Sequence, residues 1–173
     1  VDDGEGTLNS EIPYTAEETS EYNGKNYTLE SIEKPSEGIV TADESKNVVN
    51  VYYALDEDGP DDKPDGIPDK YEVTITYKAV HGTFAGEDDT RVTETSKDYV
   101  IAKQNAEDGT WTPIDTVIGA GNIPEATADT GYNTEGQWTP ETPTASTQVT
   151  GDKTYTIEFT VNSYGYTVEY YYE

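Results

Sequence analysis

Apolar side chains in this chain recur at every second residue, with almost no three- or four-residue spacing. Residues 71–80 (YEVTITYKAV) are the clearest case. Val73, Ile75 and Tyr77 fall on one side, and Glu72, Thr74, Thr76 and Lys78 on the other. A period of two sends successive side chains to opposite faces of a pleated strand. Val, Ile, Tyr and Thr supply these runs, and a half-buried sheet favours those residue types. Leucine occurs only at Leu8, Leu29 and Leu55, and helical patterning is scarce. Charge and low hydropathy alone point to disorder, but the alternation argues for a chain that is mainly β with little helix.

Further runs of this kind divide the 173 residues. Residues 26–32 (NYTLESI) read as a strand. Residues 46–55 (KNVVNVYYAL) are β-branched and aromatic on both faces, as a central strand is. Residues 98–103 and 110–114 are shorter candidates, and 153–161 (KTYTIEFTV) puts Tyr155, Ile157, Phe159 and Val161 on one face. Residues 119–136, rich in Gly, Thr and Asn, read as loop with a short ordered piece, and residues 140–151 are Thr- and Pro-rich without a helix. Residues 56–70 (DEDGPDDKPDGIPDK) interrupt every pattern and mark a boundary. The expected organisation is a partial domain over 1–55, an acidic Pro/Gly-rich linker over 56–70, a second β domain over 71–162, and a strand over 163–173.

That last strand (YGYTVEYYYE from 164) carries Tyr164, Tyr166, Val168, Tyr170 and Tyr172 on one face. It follows the natural end of the second domain and has no evident partner in its own half, and such a strand should not be left free. Written head to tail, YTVEYYYE followed by VDDGEGTLNSEIPYT reads as strand, turn and extended segment, a plausible hairpin. The expectation is one period of a tandem array, cut out of phase with its domains. Its partners are then neighbouring copies, joined head-to-tail by strand complementation.

The joined stretch 164–173 plus 1–55 resembles a mucin-binding-protein-type (MucBP-like) repeat, on YTVEYYYE, YTLES (27–31) and VVNVYYAL (48–55). Residues 67–161 resemble β repeats of the Listeria–Bacteroides type, on IPDKYEVTITYKAVHGTF (67–84), GYNTEGQWTPETP (131–143) and GDKTYTIEFT (151–160). The resemblance implies two small β-grasp-like domains in tandem. It also implies a stalk, adhesin or filament on the extracellular, wall-attached surface of a Gram-positive bacterium, sometimes one that binds host glycan or mucin.

Composition narrows the chemistry. Thirty-six acidic against ten basic side chains give a net charge of −26, which opposes binding to a phosphate backbone. No apolar run is long enough for a membrane span. The absence of Cys excludes disulfides, thiolate metal sites and a cysteine nucleophile. The best chemical signal is acidic: Asp61, Asp65, Gly66, Asp69 and Glu72 match the first, fifth, sixth, ninth and twelfth positions of a calcium loop. Lys63 stands where the third ligand belongs, and Asp56 and Asp58 are upstream substitutes. The candidate cofactor is therefore a structural Ca²⁺; the competing reading is a solvated acidic spacer.

Trp111 and Trp138 are either platforms for host glycan rings or core residues, and the area a buried Trp contributes favours core. His81, the only histidine, sits in a turn with no nucleophile motif nearby, and no carboxylate pair stands out for glycoside hydrolysis. The reading is non-catalytic. Without disulfides, a Lys isopeptide crosslink is an alternative staple, with Lys78 the candidate nucleophile.

Overall fold

The computed structural model describes residues 4–35, 38–57, 64–86 and 90–171. Among them the chain is mainly β, and its helix consists of two single 3-10 turns, Glu44–Lys46 and Asp69–Tyr71. None of its helices is long and apolar enough to cross a membrane. Two compact units form. The first comprises Val1–Glu72 and Val100–Ile114, and the second Val73–Tyr99 and Asp115–Glu173.

The first unit holds β1 (Thr19–Tyr22), β2 (Lys25–Glu33) and β3 (Asn50–Leu55), in the order β1-β2-β3. Asn23 and Gly24, both at positive φ (54° and 73°), close the β1–β2 hairpin with Tyr22 opposite Lys25. Asn-Gly is a dipeptide that a two-residue hairpin turn strongly favours. β2 pairs antiparallel with β3, with an irregularity between Leu29 and Ser31. The chain then supplies β4 (Glu72–Val80), β5 (Gly82–Ala85), β6 (Arg91–Val92) and β7 (Glu94–Val100). It returns to the first unit for the antiparallel hairpin β8 (Ala102–Gln104) and β9 (Trp111–Pro113). Tyr71 and Trp111 stack with ring centroids 6.0 Å apart, and the Ile101 N–H donates to the Tyr71 carbonyl at 2.9 Å. Residues 100–114 thus pack with the first unit, whereas the sequence pattern groups them with 71–162.

The second unit adds β10 (Thr116–Val117), β11 (Ala126–Ala128), β12 (Tyr132–Thr139), β13 (Gln148–Val149) and β14 (Lys153–Val161). Its main sheet has the order β12-β14-β4-β7. β14 runs parallel to β4, with Tyr155 opposite Tyr77, and antiparallel to β12. Alternation becomes packing here: Val73, Ile75, Tyr77 and Ala79 of β4, and Tyr155, Ile157 and Phe159 of β14, are buried. Each of the Val, Ile and Phe side chains among them stabilises the fold by about 1.5–3 kcal/mol. Tyr77 and Tyr155 stack at 6.0 Å, and Trp138 meets Tyr77 edge-on at 6.2 Å. Gly136 keeps this layer closed, because a Cβ there would lie 2.5 Å from Ile157 Cγ1.

Three expected strands differ. Residues 98–103 divide at Ile101 between the end of β7 and β8. Only Asn50–Leu55 of 46–55 is strand. Upstream, Asn47 Oδ1 accepts from the Thr41 N–H and its Nδ2 donates to the Thr41 carbonyl, both at 2.8 Å. Such a local side-chain closure competes with a sheet ladder. Residues 164–171 are not strand either, for the reason given next.

Candidate functional site

A strand exists only by pairing its backbone with a neighbour. Beyond Val161 the Asn162 N–H still donates to the Gly131 carbonyl at 2.8 Å. Past Asn162, no described residue makes a backbone pairing. Tyr164, Tyr166, Val168 and Tyr170 retain their period-two spacing and stand 74%, 90%, 56% and 77% exposed. Tyr171 lies on the opposite side of the alternation, and its hydroxyl donates to Glu169, which raises its pKa above the usual tyrosine value. Tyr172, the last member of the predicted face, is outside the described residues.

The first unit contains an edge of unusual composition. Among the described residues β3 (NVYYAL) pairs with one strand, β2, on one side. Its pattern is apolar on both faces, yet none of its residues is fully buried. On one face Tyr53 lies opposite Leu29, and Leu55 opposite Tyr27. Ser20, Tyr22, Tyr27 and Tyr53 line an open aromatic recess of about 250 Å³ on the same unit. On the other face Tyr52 donates to Glu33 at 2.9 Å, which raises the tyrosine's pKa.

In the described part of the acidic segment the carboxylates accept hydrogen bonds from the chain itself. Asp56, directly after β3, is 1% exposed. Its Oδ2 accepts from Thr28 Oγ1 at 2.5 Å and from the Gly66 N–H at 3.1 Å, and its Oδ1 accepts from the Asp65 N–H at 3.1 Å. Asp65 Oδ1 accepts from the Ile67 N–H at 2.9 Å, and Asp69 Oδ1 from the Glu57 N–H at 2.6 Å. Gly66 sits at φ 90°, where a side chain would be strained. Lys70 is paired with Glu30. The described ends of this segment are therefore fastened to the first unit. Glu72 opens β4. Asp58 and Asp61 are outside the described residues, and among the described residues no three His, Cys, Asp or Glu side chains converge on a metal position.

Trp111 and Trp138 are half-buried in the ring contacts given above. His81 takes φ 60° and stacks on Tyr132 at 4.4 Å. Lys78 pairs with Glu94 at 3.0 Å, both partly exposed, which lacks the burial an isopeptide bond needs. The Asn-Gly hairpin and the Thr28–Asp56 contact went unread in the sequence; Asn23-Gly24 between two alternating runs was signal enough for the first. An open cleft of about 510 Å³ also lies in the first unit, beside Tyr14, Leu29, Lys34, Gln104 and Asp108. Lys34 Nζ sits 4.7 Å above the Tyr14 ring there. Compared with known proteins, the chain matches no family model, no curated protein and no solved structure.

Proposed function

We propose that this chain is a non-catalytic repeat unit of an extracellular stalk, adhesin or filament on a Gram-positive surface, assembling head-to-tail. The two units are β-grasp-like in this reading. The segment Tyr164–Tyr172 of one copy completes the first unit of the next, within one polypeptide or between separate chains. One observation carries the reading: an alternating aromatic segment follows β14 with exposed rings and, among the described residues, no backbone partner. Such a segment costs solvation on every ring and gains from any free sheet edge. The contact is heterologous, so it propagates instead of closing.

Sedimentation velocity over a concentration series tests it, comparing the full chain with a variant lacking residues 164–173. Concentration-dependent, open-ended species should form from the full chain and vanish from the truncated one. Identical behaviour of the two proteins refutes the reading.

A further inference from the structure

Resting on that reading, we infer that the acceptor is the free edge of β3 and that the incoming segment 164–171 of a second copy lies parallel to it. The second unit supplies the template. There β14 is flanked by an antiparallel neighbour, β12, on one side and by a parallel one, β4, on the other. In the first unit β3 has its antiparallel neighbour, β2, and, among the described residues, no strand on the other side; the turn Asp69–Tyr71 also touches it. The vacant place beside β3 is the one that β4 fills beside β14.

Composition and area agree with this. β3 carries Val51, Tyr53 and Leu55 on one face and Tyr52 and Ala54 on the other, the content of a strand with neighbours on both sides. A fully buried Tyr covers roughly 150–250 Å². At the exposures of Tyr164, Tyr166, Val168 and Tyr170, the segment therefore presents on the order of 500 Å² of side-chain surface. That is the scale of one partner's share in a small transient interface, below roughly 600 Å². Aligning the Tyr164–Tyr170 face with the Tyr27–Leu29–Tyr53 face extends the aromatic recess at Tyr22, Tyr27 and Tyr53. It leaves Gly165, Thr167, Glu169 and Tyr171 beside Asn50, Tyr52 and Ala54.

The chain's lack of Cys permits a direct test with full-length proteins. One copy carries Asn50→Cys or Ala54→Cys, and the other carries Gly165→Cys, Thr167→Cys, Glu169→Cys or Tyr171→Cys. Neighbouring strands lie about 4.8 Å apart, within the Cα separation a disulfide accepts. Mixed disulfides should form at least about tenfold faster than with an exposed control, Ser146→Cys, because pairing raises the local thiol concentration. The best donor position should move toward the C-terminus when the acceptor moves from Asn50→Cys to Ala54→Cys. A shift in the opposite sense overturns the parallel orientation. Control-level crosslinking in samples that still sediment as tail-dependent assemblies overturns the β3 edge while leaving head-to-tail complementation intact. Samples that show no tail-dependent assembly overturn both.

Discussion

Replacing Asp56 with alanine separates a carboxylate that organises the fold from one that waits for calcium. The side chain is buried, and three donors converge on it: the Thr28 hydroxyl and the Asp65 and Gly66 N–H groups. A hydrogen bond to a charged acceptor contributes about 1.5–3 kcal/mol, and a buried donor left without one costs about 1–3 kcal/mol. Thr28 is itself 2% exposed and has no route to water, whereas the two backbone donors are only partly buried and regain solvent. Relief of the carboxylate's own desolvation offsets part of the loss. The net cost of Asp56→Ala is then about 3–5 kcal/mol, a large share of the roughly 5–15 kcal/mol that holds a domain together. Hydrogen exchange reads this locally. Amides of β2 and β3 should exchange about a hundred- to a few thousand-fold faster, at about 1.4 kcal/mol per tenfold. The same acceleration is expected in EDTA and in millimolar Ca²⁺. An acceleration below tenfold, or one that appears only when Ca²⁺ is present, refutes the reasoning.

Gly136→Ala places a Cβ 2.5 Å from Ile157 Cγ1 and 2.8 Å from Phe159 Cε1; overpacking of this kind should destabilise the second unit by about 1–3 kcal/mol in urea unfolding. Tyr77→Phe removes a buried hydroxyl that has no hydrogen-bond partner among the described residues, so it should leave stability unchanged or raise it by about 1 kcal/mol. Burial pushes the Tyr77 pKa up to about 12, above the unfolded value near 10. Its contribution is therefore complete below pH 10 and lost as pH climbs through 12. Tyr77→Phe should flatten this alkaline limb of the stability curve. Salt should strengthen assembly of separate copies, since every copy carries a net charge of −26 and screening weakens their repulsion. Weaker sedimentation of assemblies in 0.5 M than in 0.05 M NaCl would point to ion pairing instead of sheet extension.

What the sequence made legible was set by local pattern. β14 coincides with the alternating run at 153–161, and β4 lies one residue inside the run at 71–80. Inward and outward positions follow because a pleat fixes the face of every side chain once one is known. Pairing was not legible in the same way. Ala102–Gln104 and Trp111–Pro113 are too short to carry a period, so nothing local says which sheet or unit they join. Asp56 reads as the first residue of an acidic spacer, yet its burial depends on Thr28, a residue 28 positions away. Asn47 lies inside a run of strand-forming residues, and its amide clasps Thr41 instead. In each case a long-range or side-chain contact outweighed propensity, which is a weak preference worth about 1 kcal/mol at most per residue in a sheet.

The tail and the β3 edge express the same physical condition from two sides. A segment whose side chains alternate but whose backbone has no neighbour pays conformational entropy of about 1–2 kcal/mol for each residue it orders. Burying on the order of 500 Å² at about 25 cal/mol per Å² returns roughly 12 kcal/mol, close to the ordering cost of eight residues. Separate copies should therefore associate weakly, with any surplus coming from backbone hydrogen bonds along the edge. Covalent continuity changes the balance without a new contact, because a tethered segment meets its edge at an effective concentration in the millimolar range. A contact that assembles separate molecules only toward the upper end of a concentration series would then be nearly saturated inside one polypeptide. The prediction that follows is asymmetric: two copies fused in tandem should show protected amides in Tyr164–Tyr171 of the leading copy and in β3 of the following one. The trailing copy's own 164–171 should exchange freely. Equal protection of both tyrosine segments would mean that each folds within its own copy, and the head-to-tail account would fail.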